Sequence, residues 1–166
     1  MKFKGIIFDL DQTLVDSSTL ELMRTNRQWS KVLQSLNSIQ FNPKLINLLK
    51  NFTDSGVQIG IITNSPGMYA TGVLKHFNIS FNHLIAYHDV KKRKPDPEPF
   101  IKMISNFNIK PEHCISVGDH DNDIIASQAA NVLAIGAQWH TPNYEFTTNP
   151  DFVFKNVDQF EKFINS

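Results

Sequence analysis

The stretch Lys4 to Ser18, KGIIFDLDQTLVDSS, carries an apolar run, Gly5-Ile6-Ile7-Phe8, that stops at two carboxylates, Asp9 and Asp11. A short, unbroken apolar run is what a strand buried on both faces needs, because neither face can spare a polar residue. The two acids therefore sit at the carboxyl end of a buried strand, separated only by Leu10. Carboxylates this close repel each other, so something at that strand end must compensate.

Four further runs of the same kind follow: 57–62, 84–87, 114–117 and 132–135. Between them lie amphipathic helical patterns with start and stop signals. Asn42 can cap a helix that begins at Pro43, with Leu45, Leu48, Leu49 and Phe52 on one face and Gly56 beyond its end. Ser65-Pro66 opens a second helix, Asp96-Pro97 a third, Asp121 a fourth running to Ala130, and Val157 to Ile164 a terminal one. Strands alternating with helices predict an α/β fold, a doubly wound parallel sheet, in one domain over 1–166. Residues 16–40 interrupt the alternation. Leu22, Trp29, Leu33 and Leu36 suggest a short helix or helical pair there, a small insertion after the first strand.

Composition narrows the functional classes. The 166 residues suit one core, and 41% of them are hydrophobic. Sixteen Lys and Arg balance sixteen Asp and Glu, which argues against a general nucleic-acid or membrane-surface binder. No apolar segment is long enough to span a bilayer, and Met1-Lys2-Phe3-Lys4 does not read as a signal peptide. A single cysteine, Cys114, inside an apolar run predicts a buried, inert thiol and a cytoplasmic setting. These features are compatible with an oligomer as well as a monomer.

In a doubly wound sheet, ligands bind at the carboxyl ends of the strands, near the point where the strand order reverses. Asp9 and Asp11 follow the first strand, Thr63-Asn64-Ser65 the second, and Gly118-Asp119 with Asp123 the fourth, while Lys94 lies in the loop after the third. Clustered carboxylates either share a proton or bind a metal, and an all-oxygen aspartate set suits a hard cation, Mg2+ first. Thr63 and Lys94 have no place on that metal but suit a phosphoryl group, whose charge must be neutralised during transfer.

The segments DLDQT, IITNS, KKRKPDP and VGDHDND resemble, in order, the four motifs of the haloacid dehalogenase superfamily. The Lys-Pro-Asp-Pro segment and AIGAQWH (134–140) are most similar to its phosphoglycolate-phosphatase-like hydrolases. The resemblance implies a Rossmann-like core and a Mg2+-dependent phosphomonoester phosphatase acting on a small phosphorylated substrate or a phosphorylated macromolecule. It implies that Asp9 is the nucleophile that forms an aspartyl-phosphate, and that Asp11 is the general acid and base. Asp9, the Asp11 backbone carbonyl, Asp119 and Asp123 would hold the metal. Thr63, Asn64 and Lys94 would bind the phosphoryl group, with Lys94 also holding Asp9 ionised, and Thr13 would order the loop carrying Asp11.

Two departures stand out. Position 12 is glutamine where the family commonly has glycine, and residues 16–40 replace a larger helical cap, so the insertion is expected to be a minimal cap over an open site. Asp119 and Asp123 also suit plain helix capping. Lys91, Lys92 and Arg93 read as a solvated charge run, His120 and His140 as loop residues, and Trp29 as packing. A receiver-type phosphoryl acceptor is the alternative class, but it would carry its phosphorylated Asp after a middle strand, where Thr63 stands. Dehalogenation would need neither Asp11 nor the metal, and a phosphomutase would have to shield its intermediate from water.

Overall fold

The computed structural model describes residues 2–166. In chain order its elements are β1 (Gly5–Phe8), β2 (Val15–Asp16), α1 (Glu21–Thr25), α2 (Trp29–Gln34), β3 (Gln40–Phe41), α3 (Pro43–Asp54) and β4 (Gln58–Ile62). Then come α4 (Gly67–His76), β5 (His83–Ile85), α5 (Glu98–Phe107), β6 (Cys114–Gly118), α6 (Asp121–Ala129), β7 (Leu133–Ala137), β8 (Phe152–Phe154) and α7 (Val157–Asn165).

Six strands form one parallel sheet in the order β5-β4-β1-β6-β7-β8. The chain builds outward from β1 to β4 and β5, then crosses to the other side of β1 for β6, β7 and β8. The strand order therefore reverses at β1, which puts the expected crevice beyond Phe8.

Side chains alternate between two apolar layers. Ile6, Phe8, Ile59, Ile61, Ile115 and Val117 pack with Leu48, Phe52, Val73 and Phe160 from α3, α4 and α7. Ile7, Ile62 and Cys114 pack with Phe100, Met103, Phe107 and Ala126 from α5 and α6. Both faces are covered, which is why the strands read as continuous apolar runs. The Cys114 thiol is fully buried, and burial, then the nearby Glu112 charge, push it up to about 11. None of the helices described is long and apolar enough to cross a membrane.

The predicted Asn42 cap is present, while α4 and α5 start just after the prolines of Ser65-Pro66 and Asp96-Pro97, at Gly67 and Glu98, with no side-chain bond from the cap residue. The Asn42 side chain accepts from the Lys44 N–H at 3.0 Å with Pro43 in the first turn, and Asn156 accepts from the Gln159 N–H at 3.0 Å. The third strand ends at Ile85, not Tyr87, because the next two N–H groups bond elsewhere: Ala86 to the Asp89 carboxylate and Tyr87 to the Ser65 carbonyl. β8 is an addition to the predicted set, a three-residue edge strand with Phe152 and Val153 exposed.

The insertion is a helical pair, α1 and α2, closed at its base by β2 and β3, where Val15 pairs with Phe41 and Asp16 with Gln40. Two residues per strand are too few to leave an alternating pattern in the sequence. The pair lies against α4. Trp29 meets Tyr69 with ring centroids 5.7 Å apart, and a Cβ on Gly72 would lie 3.0 Å from Leu33.

α7 closes the larger layer through Phe160, which is fully buried, edge-on to Phe8 at 6.2 Å and beside Trp139 at 5.8 Å. Phe160→Ala is expected to cost about 3–5 kcal/mol in urea denaturation, the usual range for deleting a buried phenyl ring. A loss under about 1 kcal/mol would show that α7 contributes little to the core.

Candidate active site

β1 delivers the first acid. The Asp9 N–H still bonds to the Val117 carbonyl at 2.9 Å, so its carboxylate is held where the strand ends. Lys94 reaches the same place from the loop after β5. Its buried Nζ lies 2.6 Å from Asp9 Oδ1 and 3.0 Å from the Ile62 carbonyl, and it also pairs with Asp123 Oδ1. Burial alone would lower the ammonium's pKa, but the Asp123 and Asp9 carboxylates outweigh it and hold Lys94 above the ordinary lysine value.

Asp9, Asp119 and Asp123 each offer a carboxylate oxygen within 4.8 Å of the others. Burial pushes Asp9 well above the usual carboxylate range against the pull of Lys94, and Asp123, Asp119 and Asp11 push it further. Burial, then Asp123, raise Asp119 to about 7. Four carboxylates at this strand end (Asp9, Asp11, Asp119 and Asp123) face two cations, Lys94 and Arg24. Fully ionised, the set keeps two uncompensated negative charges, which suits a divalent ion with oxygen ligands. Asp123 is already committed, with Oδ1 to Lys94 and Oδ2 accepting from the His120 N–H at 3.1 Å. Asp123 both closes the α6 capping box and forms a wall of the acidic cluster, whereas Asp119 takes no part in the cap. This proximity requires glycine at 118, where a Cβ would fall 2.3 Å from the Asp123 Cβ.

Asp11 sits in a different environment. Its Oδ1 accepts from the Ser17 hydroxyl at 2.7 Å and the Tyr69 hydroxyl at 2.6 Å. Its Oδ2 accepts from the Ser65 hydroxyl at 2.9 Å and pairs with Arg24 Nη2 at 2.8 Å. Burial, then the Asp11 charge, hold the Tyr69 phenol protonated, far above its ordinary value. Gln12 takes the left-handed conformation, φ +62°, in which glycine is common. Its backbone N–H bonds to the Val15 carbonyl at 2.7 Å, and its side chain accepts from the Ser17 N–H at 3.2 Å. The Thr13 hydroxyl donates to Asp119 at 3.1 Å, and the Thr13 carbonyl accepts from the Trp139 indole at 2.8 Å.

Thr63 and Asn64 come to the same end of the sheet. The Thr63 hydroxyl accepts from the Ser65 N–H at 3.0 Å, and the Asn64 side chain donates to the Lys94 carbonyl at 3.0 Å, joining the loops after β4 and β5. The remaining basic run stays outside: Lys91 and Lys92 are exposed, and Arg93 stacks over Tyr87 at 3.7 Å. His120 is a helix cap, its Nδ1 accepting from the Asn122 N–H at 3.2 Å. His140 is half-buried in the loop after β7, and burial lowers its pKa. Asp121 pins the loop before β8, accepting from the backbone and hydroxyl groups of Thr147 and Thr148. These hold it well below the usual carboxylate range, led by the Thr147 hydroxyl.

Sequence reasoning missed Arg24, Ser17 and the Tyr69 hydroxyl. Tyr69 falls on the apolar face of the helix that Ser65-Pro66 opens, a position that does not signal its hydroxyl, and an arginine in a short insertion carries no motif. Arg24 lines the space around the acids, while the fully buried Tyr69 acts there only through its hydroxyl bond to Asp11. A hollow of about 150 Å3 is lined by Asp9, Thr63, Lys94 and Asp123. A cleft of about 620 Å3 opens beside it, between Arg24, Arg27 and Trp29 of the insertion and Tyr87 and His88 of the core. Asp11, Arg24, Asn64, Ser65 and Asp119 line both spaces.

Comparison with known proteins gives a consistent picture. The model of the haloacid dehalogenase-like hydrolase family matches residues 20–137. Pyrophosphatase PpaX of Oceanobacillus iheyensis is 24% identical over 206 aligned positions, covering 95% of this chain and 94% of that protein. A phosphoglycolate phosphatase of Haemophilus influenzae is 30% identical over 70% of this chain, and the chain spans only 54% of its length. The crystal structure of a predicted phosphoglycolate phosphatase from Haemophilus somnus superposes with a TM-score of 0.84 at 21% identity, covering 99% of each chain, and so shares the fold.

Gly118→Ala tests the packing of the acidic cluster. The new methyl collides with the Cβ of Asp123, close to the backbone, so the first turn of α6 must shift. Calorimetric titration is expected to show Mg2+ affinity reduced by at least about tenfold in a protein that still folds. Unchanged affinity would mean that Asp123 can move without consequence for the ion.

Proposed function

The chain belongs to the haloacid dehalogenase-like hydrolase family, and from that premise we propose that it is a Mg2+-dependent phosphomonoester phosphatase working through an aspartyl-phosphate on Asp9. The observation that carries this reading is the buried Lys94 ammonium, 2.6 Å from the Asp9 carboxylate, in a hollow that also presents Thr63, Asp119 and Asp123. A carboxylate held at a strand end beside a fixed cation is a nucleophile placed where phosphoryl charge can be neutralised.

In the first half of the reaction an Asp9 oxygen attacks phosphorus as the ester P–O bond breaks. The electron pair of that bond goes to the leaving oxygen, which takes a proton from Asp11 and departs as the alcohol. In the second half Asp11 takes a proton from water, the water oxygen attacks phosphorus, and the bond to Asp9 breaks. Inorganic phosphate leaves, and Asp9 and Asp11 return to their starting states. The Thr63 hydroxyl, which already accepts from Ser65, keeps its proton free to donate to a phosphoryl oxygen. The Asn64 backbone N–H would donate beside it, and Lys94 offsets the phosphoryl charge. Asp9, Asp119 and the Asp11 carbonyl would hold Mg2+, with Asp123 joining through water. Bound there, the ion would neutralise phosphoryl charge and favour the ionised forms of Asp9 and Asp119.

A small phosphorylated substrate is the favoured class, because the cleft beside the hollow has about 620 Å3 for a leaving group. The names of the relatives, a pyrophosphatase and a phosphoglycolate phosphatase, support the same class. Residues 16–40 act in this reading as a minimal cap that forms one wall of that cleft.

Assays on a panel of phosphomonoesters with Mg2+ check the proposal. Asp9→Asn is expected to lose at least about a hundredfold in kcat, since an amide cannot serve as the nucleophile. Asp11→Asn should be severely impaired and should accumulate the phosphorylated protein by mass spectrometry. A larger residual rate in Asp9→Asn would overturn the covalent step. Chelator should abolish activity, Mg2+ restore it and Ca2+ inhibit it, because Ca2+ takes more ligands in looser geometry. Full turnover in excess chelator would remove the metal from the mechanism.

A further inference from the structure

Arg24 stands at the junction of the two spaces, lining both the acidic hollow and the adjoining cleft. It comes from α1 of the insertion, yet its guanidinium is spent on the candidate acid. Nη2 pairs with Asp11 Oδ2 at 2.8 Å, and Nη1 donates to the Ser17 hydroxyl, itself bonded to Asp11. With Tyr69 and Ser65 added, every acceptor position that Asp11 uses is filled by a protein donor. In that state Asp11 faces Arg24 rather than a leaving group. The pairing is also incomplete on the arginine side, because Nε is buried and among the described residues has no hydrogen-bond partner. A buried donor without an acceptor costs free energy that a better partner would recover.

We propose that Arg24 is a substrate-released latch: it holds Asp11 in the resting enzyme and is drawn away by a second anionic group on the leaving side of the substrate. The proposal rests on the phosphatase reading above, and it names the substrate class as phosphomonoesters whose leaving group carries a carboxylate or a second phosphate. Such a substrate, with its phosphoryl group in the hollow at Lys94 and its leaving group in the cleft, must pass Arg24, because the two spaces meet there. A guanidinium binds carboxylate or phosphate through its forked donors at least as well as it binds Asp11. The exchange frees Asp11 Oδ2, which takes up a proton from solvent as Arg24 leaves and then gives it to the leaving-group oxygen, so the substrate's own charge completes the catalytic arrangement. A neutral leaving group leaves the latch closed. In the cleft wall Arg27 adds a second cation opposite one further carboxylate, Glu21, and behind the wall the Tyr69 ring lies 5.5 Å from the Arg24 guanidinium.

Matched substrates test it. Phosphoglycolate and ethyl phosphate differ chiefly in the terminal carboxylate, and inorganic pyrophosphate, an anhydride rather than an ester, makes the second phosphate the leaving group itself. Wild type is expected to favour the anionic partners by at least about tenfold in kcat/KM, the size of one charge-assisted hydrogen bond. Arg24→Gln should move the two classes in opposite directions. Turnover of phosphoglycolate and pyrophosphate should fall by at least about tenfold, while that of ethyl phosphate should rise because Asp11 is no longer held. Arg24→Lys, which keeps the charge but not the fork, should lie between. If carboxylate and phosphate tails respond differently, the more affected one identifies the natural anion. A parallel fall for all substrates, or no change for any, would overturn the latch, the first by making Arg24 a structural part and the second by making it a bystander. Binding to Asp9→Asn protein, measured by calorimetry with Mg2+, separates this from the phosphatase reading. A tenfold tighter Kd for phosphoglycolate than for ethyl phosphate, erased by adding Arg24→Gln, sustains the anion site even if no phosphomonoester is turned over. Equal affinities would reject it whatever the turnover shows.

Discussion

Asp9, Asp11, Asp119 and Asp123 repel one another at one end of a parallel sheet, and the Lys94 ammonium is the fixed charge around which three of the surrounding loops are arranged. It touches a strand-end carboxylate from β1, a main-chain carbonyl from β4 and a helix-capping carboxylate from α6. One cation therefore ties the ends of β1 and β4 to the first turn of α6 at the place where the strand order reverses. Without it the buried acids would have to protonate or move apart, because burial already pushes Asp9 and Asp119 up. The negative charge that Lys94 leaves uncompensated suits a divalent ion with oxygen ligands.

The same constraint explains local choices that look unrelated. Gly118 has no side chain because Asp123 must lie against the end of β6 to reach Lys94. Asp123 in turn closes the capping box of α6, so the helix start and the acidic cluster are positioned by one residue. Thr13 bonds to Asp119 through its hydroxyl and to Trp139 through its carbonyl, linking the loop after β1 to the segment after β7. These groups are more than a row of acids on a scaffold. Each acid has a partner that determines where it can point.

Much of this was legible in the chain. The central strands could be read because burial on both faces leaves no room for polar residues, and the start of α3 because Asn42-Pro43 carries capping chemistry. The site residues that the sequence pointed to meet at the expected strand ends because a doubly wound sheet allows few other arrangements. What escaped has physical reasons too. β8 is short and half-exposed, so nothing selects a long apolar run. β2 and β3 are two-residue pairings fixed by the fold around them. Tyr69 was visible as an apolar ring on a helix face, since periodicity sees burial and not the hydroxyl that reaches Asp11. The bond between Arg24 and Asp11 depends on how the insertion folds back, which no local pattern encodes.

Tyr69 shows why so small an insertion can matter to chemistry. Its ring packs against Trp29, its face lies near the Arg24 guanidinium, and its hydroxyl donates to Asp11. It is also fully buried in the larger apolar layer, so it moves only if α4 moves. The wall of the cleft and the candidate acid are thus fastened to one rigid helix of the core. A separately hinged lid would have to position its cation anew at each closure. Here the insertion leans on α4 through Trp29 and Leu33, and the proposed release needs only the Arg24 side chain to move. In a chain with this insertion, a side-chain exchange can do part of what a domain closure does elsewhere: it couples recognition of the leaving group to the release of the acid.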